Sequence, residues 1–154
     1  MSKFRWVIDA NILGNVCRKK ADNAATIKFL TQVKKHLVVV NKEIKREYKP
    51  MPYRENIKCD QNGKKFLQEW LIELYTKFSI APPGKLLELP LFIANQPNER
   101  FKEEDRIYVK LAISTDKLLV ASETHFQNVK ECLEENKIRF FNETEALDFL
   151  YKLK

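Results

Sequence analysis

The chain has 154 residues, 44% of them aliphatic or aromatic, with a formal charge of +7. That length supports one domain with a real core, the composition excludes a disordered chain, and no apolar run approaches the roughly 18 residues of a membrane helix. Charge is uneven: residues 1–65 hold 16 Lys/Arg against 6 Asp/Glu, and residues 66–154 hold 12 against 15, so one side is basic enough to suit a polyanion.

The first predicted element is an apolar strand over residues 4–9, Phe4-Arg5-Trp6-Val7-Ile8-Asp9, followed at once by Ala10-Asn11-Ile12-Leu13. In an open α/β sheet, ligands bind in the crevice outside the carboxyl ends of the strands. An ionised Asp9 there is a hard oxygen ligand for a divalent cation. The competing reading is an ordinary helix N-cap. A short segment, Ile12 to Val16, leads into the basic run Arg18-Lys19-Lys20. Asp22 or Asn23 can cap the next helix, whose apolar positions are Ala25, Ile27, Phe29, Leu30 and Val33. Leu37-Val38-Val39-Val40 then reads as a strand buried on both faces of a parallel sheet. Strand, helix, strand makes a right-handed βαβ unit the default.

Asn41 is placed to cap a helix carrying Glu43 and Glu47 among Lys42, Lys45, Arg46 and Lys49, and Pro50 and Pro52 end it. The two glutamates are four apart and share a face. A solvated, ion-paired helix is the competing reading for each. Asp60 to Gly63 reads as a turn. The helix predicted over 64–79 has an aromatic stripe including Phe66, Trp70, Tyr75 and Phe78, which suits a core or a dimer face better than base stacking. Residues 80–100, with Pro82-Pro83-Gly84, Pro90 and Pro97, are loop-rich and without a readable pattern. They belong to a helical, loop-rich insertion at about 50–100 within a single domain spanning the chain.

Beyond the insertion, Asp105 begins a helix with apolar positions Ile107, Tyr108, Leu111 and Ala112. Lys117 to Ala121 is the next strand, followed by Glu123 and a helix bearing Phe126, Val129 and Cys132 or Leu133. Ile138 to Phe141 is the last strand, and Asn142 with Glu145 makes a capping box for a closing helix.

This topology brings the acids together. Asp9 and Glu123 follow the C-terminal ends of two strands, and Glu47 lies early in a helix leaving a third. Asp105 starts a helix that runs antiparallel to the strands, so its N-terminus lies at the same edge. Like charges so placed raise one another's pKa values, and a bound cation removes that penalty. Oxygen ligands without histidine select Mg²⁺ or Mn²⁺ over Zn²⁺. Such a site, next to a basic half, implies a phosphodiester substrate. The only histidines are His36 and His125, and Cys17, Cys59 and Cys132 are odd in number and far apart. They are expected as small apolar groups, with neither a zinc site nor a disulfide framework. The N-terminus runs straight into a strand with no signal-peptide layout, so the expected location is the cytoplasm.

Val7-Ile8-Asp9-Ala10-Asn11-Ile12-Leu13, the strand leading to Asn41 and Glu47, Asp105 with Ala112, and Leu119-Val120 with Glu123 and Phe126 together resemble the PIN-domain ribonucleases. The likeness extends over nearly the whole chain and is weakest at 50–100. It implies a three-layer, Rossmann-like α/β fold, a central parallel sheet with helices on both faces. It also implies Mg²⁺- or Mn²⁺-dependent cleavage of single-stranded RNA. Asp9, Glu47, Asp105 and Glu123 would be the metal-binding acids, with Asn11 orienting Asp9 or a metal-bound water. Arg18, Lys19, Lys20 and Arg46 are candidate phosphate contacts, each competing with a plain solvated charge. Family members commonly dimerise, so a homodimer is expected, and a VapC-type toxin would have an antitoxin protein as partner; a processing or decay nuclease is the other role. The departures are Glu123 where Asp is usual, Ala121 where Ser or Thr is usual, and Asn41 for a frequent Ser. They sustain an alternative: a catalytically silent RNA- or protein-binding module of the same fold. A phosphatase using Asp9 as nucleophile is weaker, because that chemistry wants a second carboxylate where Asn11 stands.

Overall fold

The strand predicted to open the sheet lies at its centre. In the computed structural model, which describes residues 3–17, 23–54, 59–121 and 124–153, five strands pair in parallel in the order β3-β2-β1-β4-β5. They are β1 (Arg5–Ile8), β2 (Leu37–Val39), β3 (Ser79–Ile80), β4 (Leu118–Val120) and β5 (Arg139–Phe141). Trp6 sits opposite Val38 on one side and Leu118 on the other, and Val120 opposite Phe141. The helices are α1 (Ala10–Gly14), α2 (Asn23–Gln32), α3 (Lys42–Tyr48), α4 (Gln61–Glu73), α5 (Leu91–Ala94), α6 (Glu103–Ile113), α7 (Thr124–Gln127), α8 (Lys130–Glu135) and α9 (Glu143–Lys152). The expected α/β class, a parallel sheet with helices on both faces, is what the chain forms.

Strand alternation sorts the two apolar layers. On one face Trp6 packs against Phe29 of α2, Phe149 of α9 and Phe141, with ring centroids 5.6–5.8 Å apart. Trp70 of α4 donates its indole N–H to the Leu30 carbonyl at 2.8 Å and so extends that layer. Phe140 faces the other way and stacks on Phe126, which meets Phe101 edge-on. On that side α6, returning the chain from β3 across to β4, packs on β1 and β4. Trp70, Leu74 and Phe78 are buried, so the aromatic stripe is core rather than a base-stacking surface. Glu143, in the first turn of α9, is buried and accepts from Thr26 Oγ1 at 2.6 Å and Asn15 Nδ2 at 3.0 Å, tying α9 to α2 and to the end of α1.

Several local expectations change. Asp60 does not open a turn: its carboxylate accepts from the Gly63 N–H at 2.7 Å and caps α4. The stripe predicted as one helix over 64–79 becomes α4 followed by a wider π-type turn, Leu74–Phe78. β3, only two residues long, begins immediately after that turn, too short to show alternation. The single helix expected after β4 is broken into α7 and α8 near Asn128, whose side-chain amide donates to the Arg100 carbonyl at 2.6 Å instead of serving the helix.

The cysteine expectation is overturned. Cys17 and Cys59 form a disulfide, and Cys132 is free and buried. Spacing in sequence hid this, because only the fold brings the end of α1 against the start of α4. Gly63 permits the approach: a Cβ there would stand 3.2 Å from both Cys59 Sγ and the Val16 carbonyl oxygen. The predicted capping residue Asp22, Arg18, Lys19, Lys20 and Glu123 lie outside what the structure describes, and Asn23, the alternative cap, is the first residue of α2. Among the described residues, no helix is long and apolar enough to cross a membrane.

Among the described residues, Lys117 and Lys137 alone carry a side chain in the left-handed backbone region, both with φ 62°. Lys137 directly follows the C-cap of α8, where that conformation ends a helix and Gly is the usual occupant, and Lys117 lies three residues past the C-cap of α6, leading into β4. A residue with a Cβ costs roughly 1–2 kcal/mol there. The turns are fixed by the Lys117 N–H bonding to the Ala112 carbonyl at 3.0 Å and the Lys137 N–H to the Glu134 carbonyl at 2.9 Å.

Candidate functional site

Strand order reverses at β1, which has β2 on one side and β4 on the other. The crevice beyond the carboxyl ends of the strands at such a switch point is where open α/β sheets hold ligands. Asp9 is the first residue past β1 and is 2% exposed. It occupies the N-cap position of α1, yet its side chain makes no capping hydrogen bond. Elsewhere in the chain capping side chains do bond: Asn41 accepts from Ile44 N, Asp60 from Gly63 N and Asn142 from Glu145 N, at 2.7–2.8 Å. Capping therefore explains those residues and does not explain Asp9. Asn11 Nδ2 lies 3.4 Å from Asp9 Oδ2, a long contact that turns the amide toward the carboxylate.

Glu47 reaches the same edge from α3, which Asn41 holds at its first turn. Its Oε2 accepts the Tyr108 hydroxyl at 2.9 Å, and the Tyr108 oxygen accepts the Ala10 N–H at 3.3 Å. One phenol thus connects Glu47 to the peptide beside Asp9. Tyr48, next to Glu47, donates its hydroxyl to the Ile8 carbonyl at the end of β1. Asp105 lies in the first turn of α6 and is 6% exposed. Glu43, by contrast, is exposed. Sequence reasoning treated Tyr108 as an apolar core position and passed over Tyr48. The available signal was spacing: Tyr108 is three residues after Asp105, on the same face of one helix.

Electrostatics couples these groups. Burial raises the Glu47 carboxyl above the ordinary range; the Tyr108 bond opposes this, Glu104 and Asp105 raise it further, and Arg54 lowers it. Burial, with Asp9 and Glu47 contributing, raises both Tyr48 and Tyr108, so both phenols remain protonated donors. Among the described residues the donors brought to this edge are oxygens, which is the chemistry of a hard divalent cation. Among the described residues, no three His, Cys, Asp or Glu side chains stand close enough to hold a metal ion as a group. Asp9, Asn11, Glu47 and Asp105 are thus brought to one edge, while Glu123, the fourth predicted acid, is outside the described residues. Arg46 and Arg54 are exposed on or just beyond α3, Arg54 being a cation that sequence reasoning did not single out. No protein-family model, curated protein or solved structure matches this chain.

Proposed function

We propose that the chain is a Mg²⁺- or Mn²⁺-dependent endoribonuclease of the PIN-domain type, hydrolysing phosphodiesters of single-stranded RNA at the C-terminal edge of β1 and β4. Asp9 carries this reading: a buried carboxylate at the switch point of a parallel sheet, on a helix terminus it does not cap. Asp9, Glu47, Asp105 and Glu123 would hold the cation. When bound, the cation would supply a lowered pKa for a water nucleophile and charge neutralisation at the phosphate.

The chain's own residues have separable tasks. Tyr108, held protonated, aims Glu47 and favours its ionised form through the 2.9 Å bond. Asn11 directs its side-chain amide at the Asp9 carboxylate. Arg46, exposed like its neighbours Lys42, Lys45 and Lys49, suits phosphates approaching this edge, and Arg18, Lys19 and Lys20 continue the charge in sequence. RNA is the partner this reading requires. A cytoplasmic location, a homodimer through the outer flank of α4, where Ile72 remains exposed, and an antitoxin protein are its further implications.

The test is cleavage of an end-labelled single-stranded RNA with Mn²⁺, with EDTA and an Asp9→Asn variant as controls. Cleavage lost in both controls is the expected outcome. Equal behaviour of wild type and Asp9→Asn, together with no Mn²⁺ binding by calorimetry, would instead establish the silent binding module.

A further inference from the structure

The opposite, N-terminal edge of the sheet holds a cavity of about 450 Å³. Lys3, Lys117, Lys137 and Arg139 line it, with Phe4 and Phe149 as apolar walls. The one acid among its described lining residues, Asp116, is taken up by Arg5, which donates its backbone N–H at 2.6 Å and its guanidinium at 2.9 and 3.2 Å. Neither ion pair found among the described residues uses any of the four lining cations. Nearby His36 accepts the Phe4 N–H on Nδ1, and its pKa is lowered by burial and then by Lys3 and Lys35, in keeping with a positive field at this edge.

The two lysines are the telling feature. Both turns need a left-handed residue, and glycine would satisfy each without the cost of a Cβ. A cation after a helix is also favoured by the helix dipole. That effect acts on each helix separately and does not require both lysines to line one cavity. The cavity does. The strand ends bring them together: the Arg139 N–H bonds to the Lys117 carbonyl at 2.8 Å, so Lys117, Lys137 and Arg139 lie on adjacent chain segments. The Arg139 guanidinium lies 5.2 Å from the centre of the Phe149 ring, held beside an aromatic wall.

We propose that this cavity binds a phosphorylated nucleotide, its phosphate held by Lys117, Lys137 and Arg139 and its base against Phe4 and Phe149. The volume falls in the range of small-ligand sites, roughly 300–1,000 Å³. The same chemistry is presented by a free mononucleotide and by the phosphorylated end of an RNA strand. This site is separate from the acidic edge and does not depend on the nuclease reading.

Titration calorimetry on the full chain, in EDTA, tests it with AMP, adenosine, and a short RNA carrying either a 5′-phosphate or a 5′-hydroxyl. The comparison variant is Lys117→Gly with Lys137→Gly, which removes both charges while giving each turn its preferred residue, so the fold should hold or gain stability. AMP should bind and adenosine should not, the 5′-phosphorylated RNA should bind more tightly than the 5′-hydroxyl RNA, and the double variant should bind AMP at least roughly tenfold more weakly and lose the 5′-phosphate preference. A gain in RNA binding from the 5′-phosphate that the double variant loses would identify the strand end as ligand, and AMP binding without such a gain would identify the free nucleotide. No binding of either phosphorylated ligand up to about 1 mM, equal binding of adenosine and AMP, or undiminished binding by the double variant would overturn the proposal.

Discussion

Tyr108→Phe removes one oxygen and both hydrogen bonds that join α6 to the acidic edge. A hydrogen bond to an ionised group contributes roughly 1.5–3 kcal/mol. Glu47 is only half-buried, so water recovers part of that loss and about 1 kcal/mol remains. The Ala10 N–H lies in a buried residue and loses its acceptor, adding about 1 kcal/mol. The variant should therefore lose about 2 kcal/mol, read by urea unfolding at neutral pH, or roughly 4–8 °C in melting temperature for a chain of this size. The phenol also lowers the Glu47 pKa, so its removal should move that carboxyl further up, which side-chain carboxyl NMR can follow. A loss below about 0.5 kcal/mol with an unchanged Glu47 titration would refute the bridging role given to Tyr108.

Glu47→Gln should behave differently. The Glu47 pKa is raised on folding, so its contribution to stability is complete below the unfolded-state value and is lost as pH rises through the folded-state value. Chemical unfolding across that window should find the Gln variant more stable than wild type at neutral pH and level with it in acid, with RNA cleavage lost. Asn41→Ala removes the cap that holds the first turn of α3 and should cost about 1 kcal/mol, measured thermally, while weakening any activity that needs Glu47 in place. Reducing Cys17–Cys59 releases a crosslink between residues 42 apart, which loop-closure entropy values at about 4 kcal/mol. Urea midpoints with and without dithiothreitol should differ accordingly, and a Cys59→Ser variant should be indifferent to the reductant.

The parts of this molecule legible in its sequence are those written in local pattern. Leu37 to Val40 is apolar without alternation because both its faces are covered, and that alone placed it inside a parallel sheet; Leu118 to Val120, read as a strand, is buried in the same way. Asn142 and Glu145 form the expected reciprocal cap. At the site, Asp9 and Asp105 were placed at one edge because each follows or begins an element of known direction; Glu47 was placed there because α3 leaves β2 at that edge, although it stands in the last turn of that short helix rather than early in it. Tyr108 was not, because a tyrosine at an apolar position of a helix looks like core, and here it is both: its ring is buried and its hydroxyl serves Glu47. The disulfide and β3 were illegible for a different reason. Each is made by segments that meet only after α4 has packed, and neither carries a pattern of its own.

The all-parallel order has a consequence for how the chain is made. No two neighbouring strands are joined by a hairpin, and β1, the central strand, has its second neighbour in β4. The contact between Arg5 and Asp116 that anchors this pairing spans 111 residues. During synthesis, at about 5–20 residues per second, the centre of the sheet therefore waits on the ribosome with one edge open while most of the chain is added. Trp6, Val7 and Ile8 are exposed to other nascent chains over that interval. Pairings this distant also fold slowly once the chain is released. Yield on expression should respond to a slower temperature or a holding chaperone more than to changes in the finished core.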